Sequence, residues 1–157
     1  MLTLEFIYNP VINNMRYFCH GVSMSNLFLK CTQTMESKKQ ILIVDDSNTA
    51  LLLMEYALKE AGYDTMVASS AKEAFDLISN HLPDLILLDL SMPEISGYDF
   101  LKMKAELHLE NIPILVVSAN DSAESIEMTR NLGAADFIAK PIKLDSLMEK
   151  IRTNLKI

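Results

Sequence analysis

Asp84–Gly97 reads DLILLDLSMPEISG: the apolar run Leu85–Leu88, then Asp89, then a stretch punctuated by Pro93 and Gly97. A short continuous apolar run bounded by turn formers is the pattern of a strand buried on both faces of a parallel sheet, where alternation disappears because neither face meets water. Similar runs lie on either side of it, at Ile41–Val44, Thr65–Ala68, Ile114–Val117 and Phe137–Ala139.

Helical patterns fill the intervals. Leu51, Met54, Leu58 and Ala61 share one helical face, with Gly62 where a left-handed cap would sit. Ser70 and Glu73 have capping-box spacing ahead of Ala74, Leu77 and Ile78. Phe100, Met103 and Leu107 mark a weaker third helix, and Gly97 is expected to let the backbone turn into it. Asp121 is placed to cap a fourth helix that ends at Gly133. Leu144, Leu147, Met148, Ile151 and Leu155 form the clearest stripe. Strict alternation of strand and helix predicts an α/β domain, a five-stranded parallel sheet with helices on both faces, over residues 38–157.

Composition narrows the function. Half of the 157 residues are hydrophobic, enough for a sizeable core, and the formal net charge is −7. An acidic chain lacks the basic footprint that direct nucleic-acid binding requires. No apolar run approaches the ~20 residues of a membrane helix, and the first residues lack a signal peptide's basic start. A cytoplasmic protein without membrane insertion is expected, with Cys19 and Cys31 as free thiols.

Ligands of open parallel sheets bind beyond the carboxyl ends of the strands. Asp45 and Asp46 follow the first run, Asp89 the third, Ser118 the fourth and Lys140 the fifth. Taken singly, each is ordinary: a turn or helix cap for an Asp or Ser, a solvated charge for the Lys. Taken together, carboxylates converge on one sheet edge and repel one another unless a positive charge sits among them. Oxygen donors without His or Cys favour a hard cation, Mg²⁺ above all. Asp121 and Asp136 are left as a cap and a loop residue.

With these residues in place, the chain from about Lys38 to Lys156 resembles the receiver domain of bacterial response regulators, the stand-alone single-domain type of two-component signalling. The resemblance rests on ILIVDDS (Ile41–Ser47), DLILLDLSMPEISG (Asp84–Gly97), PILVVSA (Pro113–Ala119) and GAADFIAKP (Gly133–Pro141), in this order and spacing. It implies a flavodoxin-like (βα)5 fold and a signalling phospho-acceptor rather than an enzyme, promoting phosphorylation and dephosphorylation of its own Asp89. It implies that Asp46, Asp89 and the Ser91 carbonyl bind Mg²⁺ while Asp45 holds a metal water. It further implies that Lys140 pairs with Asp89 and then with the phosphoryl group, that Ser118 donates its hydroxyl to that group, and that Phe137 turns inward behind it. Ser118 is often Thr and Phe137 often Tyr in such domains; the hydroxyl chemistry and the packing change survive both departures. A cis peptide before Pro141 is implied as well.

The implied donor is a phosphohistidine on a sensor histidine kinase or a histidine phosphotransfer protein, and the implied output is an unidentified downstream protein. The alternative is a phosphorelay intermediate or a phosphate sink without output of its own. A dehalogenase-type phosphatase would need an acid where Ser91 stands, and a flavin-binding protein would need a phosphate loop where Asp45 and Asp46 stand. A binding module without the switch would be expected to lack Asp46, Asp89 or Lys140, and all three are present.

Met1–Thr34 shows neither helical nor strand periodicity, and Met35 stands just ahead of the first run. Residues 1–37 are therefore expected to be a disordered leader or a mis-assigned start, dispensable for phosphotransfer. A docking arm using Phe6, Ile7, Tyr8, Tyr17 and Phe18 is the competing reading. A chain beginning at Met35 is expected to match the full chain in thermal stability and phosphorylation rate. A clear loss in either measurement would show that the segment supports the domain.

Overall fold

The computed structural model describes residues 5–9, 14–18 and 38–157. Contacts divide the chain into two units, Met1–Ser37 and Lys38–Ile157. In the first, β1 (Glu5–Asn9) and β2 (Asn14–Phe18) pair antiparallel, with Glu5 opposite Phe18 and Asn9 opposite Asn14. β1 does not alternate apolar with polar residues and β2 does so only over Asn14–Tyr17, a signal too short to stand out, although both contain the aromatic residues that strands favour. The expectations for Cys19, Cys31 and Met35 fall outside the described residues.

The second unit is built from β3 (Gln40–Val44), α1 (Asn48–Glu60), β4 (Asp64–Ala68), α2 (Ala71–Asn80), β5 (Leu85–Asp89), α3 (Gly97–Lys102), β6 (Ile114–Ser118), α4 (Ala123–Asn131), β7 (Asp136–Ala139) and α5 (Leu144–Leu155). Its five strands are all parallel, in the order β4-β3-β5-β6-β7. This is the flavodoxin-like architecture that the sequence implies. The central strands β3, β5 and β6 are buried along almost their whole length, while the edges β4 and β7 are not. Each central strand sends alternate residues to opposite cores. Leu42, Val44, Ile86, Leu88, Ile114 and Val116 meet α2 and α3, where Phe75 stacks on Phe100 with centroids 5.2 Å apart. Ile41, Ile43, Leu85, Leu87, Leu115 and Val117 meet Leu51, Met54 and Leu58 of α1 and Leu147 and Ile151 of α5.

Local signals account for most element ends. Gly62 and Gly133 take φ of +90° and +89° after α1 and α4, conformations in which glycine escapes the Cβ clash. Ser70 Oγ accepts the Glu73 amide at 3.2 Å; the return arm of the box, Glu73 Oε2, accepts from Ser69 rather than Ser70, at 2.7 Å from its amide.

Four expectations need correction, the simplest being Asp136, which opens β7 rather than lying in a loop. The cap of α4 is Ser122, whose Oγ accepts the Ser125 amide at 3.2 Å, not Asp121; both are capping types, and the choice depends on the path out of β6. The third helix stops at Lys102, so Met103 and Leu107 lie in the turns that follow, where His108 at φ 55° redirects the chain to bury Leu109. Gly97 is required by space, not by φ: a Cβ there would collide with the Asp89 carbonyl oxygen and stand 2.8 Å from Leu90 Cα.

Asp84 joins the starts of β3 and β5. Its carboxylate accepts from Lys39 Nζ and from the Gln40 amide, both at 2.8 Å. Partial burial pushes its pKa up, but the Lys39 hydrogen bond, the Gln40 amide and the Lys39 charge outweigh it and leave the pKa below the ordinary carboxylate value. A depressed folded pKa contributes stability that is present above the unfolded pKa, about 3.9, and is lost as pH falls through the folded one. Between pH 7 and pH 3 the wild type should therefore lose more stability than Asp84→Asn, measured by urea denaturation; equal losses would show that this carboxylate contributes nothing.

Candidate functional site

The chain leaves β3 to form β4 on one side of it and then crosses to form β5 on the other. Such a reversal leaves a crevice beyond the carboxyl ends of β3 and β5, because their following loops part in opposite directions. Asp45 and Asp46 directly follow β3, and Asp89 ends β5. Asp45 and Asp89 are buried, at 1% and 4% exposure, whereas Asp46 is exposed. One oxygen from each of the three lies within 4.8 Å of the others.

Each buried carboxylate divides its work between its two oxygens. Asp45 Oδ1 accepts the Ser47 amide at 2.9 Å, and Asp89 Oδ2 accepts the Ser91 amide at 2.8 Å. Their other oxygens both accept from Lys140 Nζ, each at 2.8 Å. Burial alone would lower the pKa of Lys140, but the hydrogen bonds it donates to Asp45 and Asp89 and the charges of both carboxylates outweigh it and hold the ammonium above the ordinary lysine value. The lysine is fully charged at neutral pH. Among the described residues no group hydrogen-bonds the exposed Asp46 carboxylate.

Three carboxylates against one ammonium leave a formal charge of −2 in a partly dry crevice. That charge and an all-oxygen donor set fit a hard divalent cation such as Mg²⁺. The sequence pairs Lys140 with Asp89 alone. The second bond, to Asp45, follows from a like-charge argument the sequence already contains, since two carboxylates buried this close need one shared counter-charge.

Ser118 ends β6, and Lys140 directly follows β7. Asp89 stands opposite Val117, which places Ser118 one residue beyond the acidic cluster along the neighbouring strand. Its Oγ is buried and accepts the Asn120 amide at 3.2 Å, and its carbonyl accepts the Lys140 amide at 2.8 Å. The peptide between Lys140 and Pro141 is cis. Phe137 is not part of the cluster. It lies two positions back, opposite Val116, half-buried against the core and beside a cleft of about 210 Å³ that Ile126, Thr129 and Arg130 also line.

Comparison with known proteins identifies the family. The model of the response regulator receiver domain matches residues 41–152. The chain belongs to the response regulator receiver domain family. The receiver domain is 35% identical over 118 residues to the polar-differentiation response regulator DivK of Brucella abortus, covering 74% of this chain and 96% of that one. It is 32% identical over 139 residues to a probable cyclic di-GMP phosphodiesterase of Vibrio cholerae, covering 88% of this chain but only 31% of that protein. Among solved structures, the Vibrio cholerae chemotaxis protein CheY4 superposes with a TM-score of 0.71 at 25% identity, covering 74% of this chain and 98% of that one. A CheY-like receiver domain protein of Methanospirillum hungatei gives 0.70 at 33%, covering 76% and 95%. Receiver domains accept phosphoryl groups, bind Mg²⁺ at an acidic pocket and interact with histidine kinases or phosphotransfer proteins. No helix among the described residues of this one is long and apolar enough to cross a membrane.

The charge arrangement makes opposite predictions for two substitutions. Lys140→Ala strands two buried carboxylates and should destabilise the domain at pH 7, by less than the about 3–5 kcal/mol typical of a fully buried broken pair because Lys140 is 26% exposed. Mg²⁺ should restore part of that loss. Asp46→Ala removes one of the repelling charges and should leave the metal-free domain as stable or more so, while weakening Mg²⁺ binding at least tenfold. Thermal melts with and without Mg²⁺ check both, and a Lys140→Ala domain as stable as the wild type would contradict the shared counter-charge.

Proposed function

We propose that this receiver domain takes a phosphoryl group from a phosphohistidine donor onto Asp89 and changes its partner-binding surface in response. The observation that carries the reading is the buried Asp89 carboxylate, held by Lys140 on one oxygen and by the Ser91 amide on the other, with exposed Asp46 beside it. Charge neutralisation and in-line placement are most of what phosphoryl transfer asks of a protein. An Asp89 oxygen attacks phosphorus as the bond to the donor imidazole nitrogen breaks, and the leaving imidazole carries off the electron pair and is protonated from water. No His stands among the site residues, consistent with a donor that brings its own leaving group.

Asp46, Asp89 and the Ser91 carbonyl would hold Mg²⁺, with Asp45 placed to hold one of its waters. When bound, the ion would supply positive charge that offsets the negative charge of the phosphoryl group. Lys140, already shared between Asp45 and Asp89, is placed to pass to a phosphoryl oxygen, and the Ser118 hydroxyl retains a proton to donate. Phe137, beside the cleft against α4, is the side chain with room to repack when Ser118 turns. The donor is a sensor histidine kinase or a phosphotransfer protein, and the recipient of the signal is a downstream protein of the cytoplasm. Residues 38–157 carry this function, and residues 1–37 do not take part in it.

Incubation with acetyl phosphate and Mg²⁺ should place one acid-labile phosphate on the wild type and none on Asp89→Asn. An Asp89→Asn protein modified to the same extent would overturn the assignment.

A further inference from the structure

Two chains of contacts, one from Asp89 and one from Ser118 on the neighbouring strand, meet at a pair of hydroxyl groups. The first starts at Asp89 itself. Gly97 packs so tightly on the Asp89 carbonyl that no Cβ fits, and its amide donates to the Leu90 carbonyl at 3.1 Å. The start of α3 is therefore braced against the backbone of the phospho-acceptor. Tyr98, the next residue, reaches across to α4, where its hydroxyl lies 2.9 Å from Ser125 Oγ.

The second chain starts at Ser118. Its Oγ accepts the Asn120 amide at 3.2 Å, Asn120 Oδ1 accepts the Ser122 amide at 3.3 Å, and Ser122 Oγ accepts the Ser125 amide at 3.2 Å. Ser125 is 5% exposed, so its hydroxyl relies on protein partners rather than water. α4 is thus tied to Ser118 through its own capping loop and to Asp89 through Tyr98.

We propose that the Tyr98–Ser125 hydroxyl pair is a latch that holds α4 in its unphosphorylated position and sets how readily the domain switches. The inference rests on Asp89 being the phospho-acceptor, and adds a restraint outside the acidic site. When the Ser118 hydroxyl turns to a phosphoryl group on Asp89, its bond to Asn120 is released and the loop that caps α4 moves with it. Tyr98 does not follow, because Gly97 is fixed against Asp89. The hydroxyl pair must then lengthen or break. A contact made in only one of two states shifts their balance by its whole net strength.

Beryllofluoride with Mg²⁺, a stable mimic of the aspartyl-phosphate, gives the test, using Tyr98→Phe, Ser125→Ala and the double variant of the full chain. None of these residues touches the acidic cluster. Each single variant should melt lower than the wild type when free and should reach half-saturation at a beryllofluoride concentration about three- to tenfold lower, the effect of one net hydrogen bond. The double variant should gain no more than the single ones, because both remove the same contact. Equal loss of melting temperature in the free and saturated forms, with half-saturation unchanged, would make the pair merely structural and overturn the latch. A wild type that takes up no beryllofluoride would instead overturn the reading of Asp89, and the latch with it.

Discussion

One ammonium group between two buried carboxylates organises this molecule. Lys140 arrives from the end of β7, while Asp45 and Asp89 arrive from β3 and β5, with β6 lying between. The lysine must therefore pass over the end of β6, where Ser118 sits and where the Lys140 amide bonds the Ser118 carbonyl. Buried ion clusters are poor sources of stability, since desolvation consumes most of the Coulombic gain. Their usefulness lies elsewhere. A lysine shared by two carboxylates can give up one partner without being left alone, and so can follow a new negative charge with little reorganisation.

The rest of the fold serves to hold those three groups in register. Residues Ile41–Val44, Leu85–Leu88 and Ile114–Val117 exclude water from both faces of the central strands, so a slip of one residue would bury nothing new while displacing every side chain at the strand ends. The parallel arrangement brings all the strand ends to one edge, and the order β4-β3-β5 opens the crevice between the strands that carry the carboxylates. Chemistry and topology are in this sense one constraint: the polar residues lie where the apolar runs stop.

That is also why so much was legible in the sequence. A strand dry on both faces leaves an unbroken apolar run, and each of the five observed strands of the second unit differs from its run by one residue at either end or less. The cluster Asp45, Asp46 and Asp89 is legible by the same route, since its members are the first residues past the runs. What was not legible depends on distances in space. The end of α3 is decided by burial of Leu109, the capping of α4 by the route from β6, and the need for Gly97 by the approach of a carbonyl. The contact of Tyr98 with Ser125 crosses 27 residues of sequence and carries no periodic signal. The strands β1 and β2 escaped for the opposite reason, as short segments in which alternation is absent or runs for only four residues.

The hydrogen bonds around Asp89 are not of equal strength, and the difference decides what moves. Those to the buried carboxylates are 2.8 to 2.9 Å long and charge-assisted. Those from Ser118 through Asn120 and Ser122 to α4 are 3.2 to 3.3 Å long and join neutral groups. Charge-assisted bonds are roughly twice as strong as neutral ones, and neutral ones weaken further toward the long end of their range. A group added at Asp89 would therefore meet a rigid acidic floor and a compliant wall. On the proposed function, that floor would set where the group sits, and any displacement would pass into the loop after β6, because that is the side where least is lost by yielding.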